Sequence, residues 1–389
     1  MSSFTPTQIA TICNELFQQA SGGKSLAPVS TANFVAVAQT ALQIGADPMI
    51  NAISQMLART IFSIRPYSEK FRELERDDFQ FGNMVRKLQV IDQDFVEDDR
   101  FKLENGQSMD MYIVRKPAIV QTNFYGQSVY SDYWTTFKDQ FDTAFSSMDE
   151  FQRFLAMIVQ NKTDKRIKNR EDLSRATICN LIGGCITIGG ERVIHVLAEY
   201  NAATGKELTA ANYQAPENFP DFVKWLYSRV MDLSDLLTER SERFHSKIDG
   251  NTIERHTPKE MQHLYLLSPF KHAIQARVFA DTFHPDRLEG MNGERVTYWQ
   301  SIKDNERDSI DVTPSTLKAD GTVEESAEVK ATGILGVIFD AEAVGINHFN
   351  RWQSTTPFNS RGGYWDTWIH ETDRYINDFS ENSVVLKLD

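Results

Sequence analysis

The residues best suited to chemistry are Gly22-Gly23-Lys24-Ser25, three cysteines, eight histidines and an acidic cluster near residue 95. Gly-Gly-Lys-Ser invites a phosphate loop, in which backbone N–H groups cradle phosphates and the lysine reaches their outer oxygens. That motif needs a first glycine five residues before the Gly-Lys pair, where Gln18 stands, and a preceding strand, where a helical pattern stands. Cys13, Cys179 and Cys185 show neither metal spacing nor a Cys-x-x-Cys pair, and read as reduced, buried thiols of a cytosolic protein. Cys179 and Cys185 flank Gly183-Gly184, close enough in sequence to approach each other. His195, His245, His256, His263, His272, His284, His348 and His370 are scattered, and His263 and His272 lie nine apart across a strand-helix junction. Neither a zinc set nor a Cys-His dyad is specified. Asp92, Asp94, Glu97, Asp98 and Asp99 lack the alternating oxygen ligands, central glycine and closing glutamate of a calcium loop. With Arg86, Lys87, Arg100, Lys102, Arg115 and Lys116 nearby, they read as a solvated or intersubunit charged face. GxGxxG, HExxH and GxSxG are absent. Catalysis, a cofactor and a bound metal are therefore not expected.

The elements that position these residues are more informative. Ser147 to Ile182 reads as one long helix, with Ser147 and Glu150 in capping-box spacing. Phe151, Phe154, Leu155 and Ile158 recur at helical period, and Leu173, Ile178, Leu181 and Ile182 resume it. Between them lies a polar middle bearing Lys162, Lys165, Arg166, Lys168 and Arg170, and Gly183-Gly184 is the expected terminus. At about 1.5 Å per residue this is a strut of roughly 50 Å, its middle solvated. The alternative is two helices with a break near Thr163-Asp164.

Thr5–Gln19, Thr31–Gly45 and Pro48–Ile61 are short helical patterns without an independent core. Extended signals follow: Phe79, Phe81, Met84-Val85, Leu88 and Val90-Ile91, a turn at Glu104-Asn105-Gly106, then a return run through Met109, Met111, Ile113 and Val114 that Pro117 breaks. This thinly apolar, mixed-charge excursion cannot bury itself on its own chain. Tyr125, Tyr130, Tyr133, Trp134, Phe137, Phe141 and Phe145 read mostly as a helix packing its aromatics on a core. Ile186–Ile188 and Val193–Leu197 read as extended, with His195 a satisfied core or edge histidine. Phe222 to Phe244 is an amphipathic helix, Leu264–Leu267 a buried strand, Phe270–Phe283 a helix and Val296–Trp299 a strand. Asp304–Val329 is loop-like and polar, Gly333–Phe339 the most apolar strand, and Ser383–Leu388 a closing strand. The class is α+β; strands and helices do not alternate strictly, which disfavours a doubly wound nucleotide fold.

The chain's 389 residues suffice for two or three folding units. A net charge of −13 argues against a dedicated nucleic-acid binder, although basic positions on the long helix could face nucleic acid without reading its sequence. No apolar run reaches transmembrane length and no signal peptide is visible.

The order of these elements resembles the major capsid proteins of tailed double-stranded-DNA bacteriophages, the Hong Kong 97-type fold, and among them those of small short-tailed phages. Phe151–Leu181 resembles that family's spine helix and Phe79–Val114 its extended loop. Gln262–Pro269, the helix after it and the strand at Val296 resemble its axial domain. Gly333-Ile-Leu-Gly-Val-Ile-Phe-Asp340 and Asn359-Ser-Arg-Gly-Gly-Tyr-Trp365 are similar to its last strands and turn. The likeness runs from about Asn51 to the end. It implies an N-terminal arm over 1–64, an extended hairpin with its flank over 65–145, a spine helix over 146–185, an axial domain over 186–345 and peripheral strands over 346–389. It further implies self-assembly into hexamers and pentamers of an icosahedral head enclosing double-stranded DNA, held non-specifically. A separate scaffolding protein and a portal are the implied partners, with no membrane, and the location is the virion after assembly in the host cytoplasm. Asp98, Asp99, Arg100, Lys102, Arg86 and Lys87 are the candidate assembly contacts. A portal- or tail-associated component and a cytosolic α+β enzyme are the rival readings.

Overall fold

The computed structural model describes residues 6–20, 29, 33–42, 70–76, 84–91, 99–112, 114, 116–125, 128–140, 148–248, 250–251, 253–278, 293–317, 323–325 and 327–389. Its helices are α1 (Pro6–Ala20), α2 (Phe34–Leu42), α3 (Met148–Ile188), α4 (Val196–Thr204), α5 (Phe219–Thr238) and α6 (Ser268–Val278). The strands that matter below are β1 (Met84–Ile91), β2 (Ala118–Tyr125), β3 (Ser128–Phe137), β4 (Val193–His195), β5 (Gln262–Leu267) and β6 (Gly293–Val296). After them come β7 (Ile310–Val312), β8 (Ser315–Leu317), β9 (Val323–Glu325), β10 (Val329–Ala331), β11 (Ile334–Asp340), β12 (Val344–Thr355), β13 (Tyr364–Asn377) and β14 (Ser383–Lys387). The class is α+β, as the sequence predicts. The helical pattern at Pro48–Ile61, the glycines of Gly-Gly-Lys-Ser, and Phe79, Phe81 and Asp98 lie outside the described residues.

The chain forms two compact units, one gathering Met1–Phe81, Gln127–Leu173 and Asn347–Arg374, the other Gly82–Gly126, Ser174–Ile346 and Tyr375–Asp389. In the first, Cys13, Leu16, Val29, Phe34, Val37 and Ala38 form a small apolar cluster, tied by the Val29 N–H donating to Asn14 Oδ1 at 2.7 Å. A three-stranded sheet ordered β12-β13-β3 follows, with β13 antiparallel to β3 from Tyr364↔Phe137 to Asp373↔Ser128. The aromatic run expected as a helix is thus a strand over Ser128–Phe137. Its β-branched and aromatic residues favour a pleated surface, and alternate positions are exposed. Tyr133 stacks on Trp368 across the ladder at 4.6 Å.

The second unit is built on a five-stranded sheet ordered β4-β14-β11-β5-β6. Its centre is β11, every residue of which is buried, antiparallel to both β14 and β5. A strand covered on both faces reads as a continuous apolar run, which is why Gly333–Phe339 stood out in the sequence. Helix α5 buries Phe222, Val223, Leu226, Val230, Leu233 and Leu237; Pro220 sits in its first turn, where a missing N–H costs nothing. The polar stretch Asp304–Val329 is not all loop: β7 pairs with β10 and β8 with β9.

Helix α3 is one continuous element of 41 residues, with no break at Thr163-Asp164. It also runs through Gly183-Gly184, the expected terminus, and takes in Ile186–Ile188, expected as a strand. These two glycines are there for close approach. A methyl at Gly183 would stand 2.5 Å from Val312 Cγ2, and one at Gly184 would overlap the Phe379 ring. The helix stops instead at Gly189, whose φ of 67° suits glycine and whose N–H bonds the Cys185 carbonyl at 2.8 Å. Gly184→Ala therefore destabilises the chain by about 1–3 kcal/mol through overpacking, although alanine favours a helix by about 1 kcal/mol. Denaturant unfolding of this variant alone and combined with Phe379→Leu, which gives the methyl room, checks it: the double mutant costs less than the two single changes together.

Candidate assembly surface

Among the described residues, those of the hairpin at Met84–Tyr125 carry most of the exposed large apolar side chains. Strands β1 and β2 pair in register from Met84↔Tyr125 to Ile91↔Ala118. The return strand thus starts immediately after Pro117 instead of ending there. A proline before the first ladder residue removes no ladder hydrogen bond. Met109 and Met111 lie in the tip, not in a strand. The tip consists of a short 3₁₀ turn, Asp99–Lys102, and a turn closed by the Gln107 N–H on the Glu104 carbonyl at 3.0 Å.

Large apolar side chains line this segment in the open. Phe101 is 88% exposed, Met111 81%, Tyr112 80% and Val114 75%. On the strands, Val90 and Ile119 face each other across the ladder and both are exposed, as is Leu88. Strand alternation puts Val85 and Gln89 on the buried side. Single exposed apolar residues are ordinary, whereas a contiguous set marks an interaction surface.

The charged candidates divide. Arg86 is exposed on β1, and Arg100 and Lys102 are exposed in the tip, with Asp99 opening the 3₁₀ turn. Lys87 faces inward. Its ammonium lies 2.9 Å from Asp378 Oδ2 and 3.0 Å from Glu342 Oε2, and pairs with Glu381. Burial lowers the Lys87 pKa, but Asp378 and Glu381 more than reverse that and raise it. Burial pushes Glu381 up to about 6 against the pull of Lys87 and Arg255, and Arg255 lies 3.2 Å from it. Lys87 thus anchors the hairpin base within its own chain. Asp378 and Glu381 are some 290 positions away in sequence, and no local signal could have paired them with Lys87.

The polar middle of α3 is likewise not simply solvated. In the first unit Arg166 pairs with Glu371, which Arg351 also approaches at 3.4 Å and Arg170 at 3.9 Å. Burial, then the neighbouring Arg170 charge, pulls Arg166 down to about 10. His348 sits beside this cluster, 2.7 Å from Asp373 and 3.3 Å from Glu75. Burial would lower its pKa, but the two carboxylates raise it to about 9 despite Arg170. A histidine whose pKa rises on folding stabilises fully below its ordinary value of 6.5, and that contribution is lost as pH rises through about 9. The stability gap between the parent and His348→Gln, measured by denaturant unfolding across this range, shrinks from a few kcal/mol towards zero.

The cysteines are buried and free, and burial pushes Cys13 and Cys179 up to about 12. Cys185 is held beside Ser383 Oγ at 3.1 Å. His195 is an exposed edge residue, bonded to Asp389 at 2.7 Å. Among the described residues no helix is long and apolar enough to cross a membrane.

The model of the Phi29-like phage major capsid protein family matches residues 9–387. The chain belongs to that family. It is a structural protein that forms a phage capsid, and its place is the virion head. Two solved structures share the fold of this capsid protein. One is titled the capsid structure of Staphylococcus phage Andhra, 11% identical with a TM-score of 0.55 over 85% of this chain and 86% of that one. The other comes from a structure titled head fiber and inner core protein gp22 of native bacteriophage P68, 10% identical with a TM-score of 0.55 over 85% and 87%. No curated protein matches the capsid protein in sequence. The resemblance noted from element order is thereby confirmed at the level of family and fold.

Proposed function

We propose that this capsid protein assembles as hexamers and pentamers of an icosahedral head that encloses double-stranded DNA. The observation that carries this reading is the hairpin and its tip, where Phe101, Met111, Tyr112 and Val114 stand in solvent and need a neighbouring copy to cover them. Contacts that close in a ring bury such patches on every subunit. The segments take the roles of arm over 1–64, extended hairpin over 65–145, spine over 146–185, axial domain over 186–345 and peripheral strands over 346–389. The net charge of −13 opposes close packing of copies and of DNA. Shell contacts must outweigh it, and DNA is held without sequence reading. A separate scaffolding protein and a portal complete the head, which assembles in the host cytoplasm.

Electron microscopy of the purified chain tests this: closed particles or capsomer rings support it, whereas open tubes, a lone twelve-fold ring or a persistent monomer overturn it. Of the charged candidates, Lys87 holds the hairpin in place within its own chain, and Asp98, Asp99, Arg100, Lys102 and Arg86 are the proposed contacts with a neighbouring copy. Asp98→Asn with Asp99→Asn changes the yield or stability of particles by weakening charge pairs across copies, worth about 0.2–1 kcal/mol each and multiplied over the shell. Unchanged yield and melting of the double-mutant particles would count against a role for these carboxylates.

A further inference from the structure

We infer that Asn105 is a site of spontaneous covalent modification: a self-deamidating switch that adds one negative charge to the hairpin tip. Asn105 is exposed in the turn Glu104–Gln107 and is followed by Gly106. The closing hydrogen bond of that turn uses the Gln107 N–H, and the Gln107 side chain accepts from the Glu104 N–H at 3.1 Å. Neither bond engages the Gly106 N–H. Gly106 has a φ of 90°, and the space where a side chain would stand is empty within 4 Å.

The chemistry needs only hydroxide and water. The Gly106 nitrogen gives up its proton and attacks Asn105 Cγ. A C–N bond forms, the Cγ–Nδ2 bond breaks, and ammonia leaves with a proton from water. One water then opens the resulting five-membered imide at either carbonyl, giving an aspartyl or an isoaspartyl residue. The isoaspartyl product also lengthens the main chain at the tip by one carbon. The new carboxylate lies in the same tip as Arg100 and Lys102 and adds to a chain already at −13, so it weakens the tip's attraction for acidic surfaces.

The molecule contains its own comparison. The other Asn-Gly pair, Asn292-Gly293, places its glycine in β6, paired with Leu264 of β5, where the backbone is held in a ladder.

The test is incubation of the purified, unassembled full chain at neutral and mildly alkaline pH, followed by peptide mapping by mass spectrometry with isoaspartyl detection. Asn105 is converted to aspartyl and isoaspartyl products, faster at the higher pH, while Asn292 stays an amide in the same sample. Asn105→Gln, which preserves the amide but disfavours the five-membered ring, keeps it; Gly106→Ala slows the loss. Retention of Asn105 to the same extent as Asn292, or loss unaffected by Gly106→Ala in a chain that still folds, overturns the inference. Assembled particles form a separate arm: retention there but loss in the free chain reads coverage of the tip by a neighbour, which bears on the proposed function alone.

Discussion

Phe101→Ser, Met111→Ser and Tyr112→Ser together abolish particle formation and leave the free chain as stable as the parent. The three side chains are 88%, 81% and 80% exposed, so their removal takes nothing from the chain's own core. Surface changes of this kind stay within about 0.5 kcal/mol of parental stability. Burying each against a neighbour is worth about 1.5–3 kcal/mol, so the triple change removes roughly 5 kcal/mol or more from one contact. That weakens a pairwise association more than about a thousandfold, and a shell repeats the loss at every subunit. Thermal melting of the free chain and light scattering of the assembly reaction check both halves. Normal shells from the triple variant, or a variant that no longer folds alone, would refute the assignment of this surface.

Lys87→Ala has the opposite signature: it acts on the chain before any assembly. The change leaves Asp378 and Glu381 facing each other, with side chains only 2% and 7% exposed. Removing one partner of a buried pair costs about 3–5 kcal/mol, and Arg255, 3.2 Å from Glu381, offsets part of it. Denaturant unfolding of the free chain reads the loss. The loss shrinks as pH falls towards about 6, because without the Lys87 charge the buried Glu381 takes up its proton at a higher pH than in the parent, where it does so at about 6. Arg86→Ala, one residue away but exposed, leaves stability within about 0.5 kcal/mol. Equal effects of the two variants on stability would show that Lys87 is not the anchor.

What the sequence determined by itself was whatever rests on local period and composition. Helical spacing across Phe151, Leu155 and Ile158, and again across Ile178 and Leu181, specified a long helix. The unbroken apolar run of Gly333–Phe339 specified a buried central strand, and the amphipathic stripe Phe222–Leu237 specified α5. Their order carried the α+β class and the capsid resemblance, because order depends on chain connectivity alone.

Tertiary structure decided the rest. Gly183 and Gly184 looked like a helix end because glycine is poor in helices; packing against Val312 and Phe379 overrode that local preference. The strand Ser128–Phe137 looked like an aromatic helix because rings suit both elements, and the ladder with β13 settled it. The hairpin's return strand slipped past Pro117 because pairing register depends on the partner strand. Lys87 looked like its exposed neighbours because a charged residue in a strand carries no mark of its partners. Carboxylates some 290 positions downstream came to it only through the fold. Burial of a charge is a property of distant chain brought together, and no window of sequence contains it.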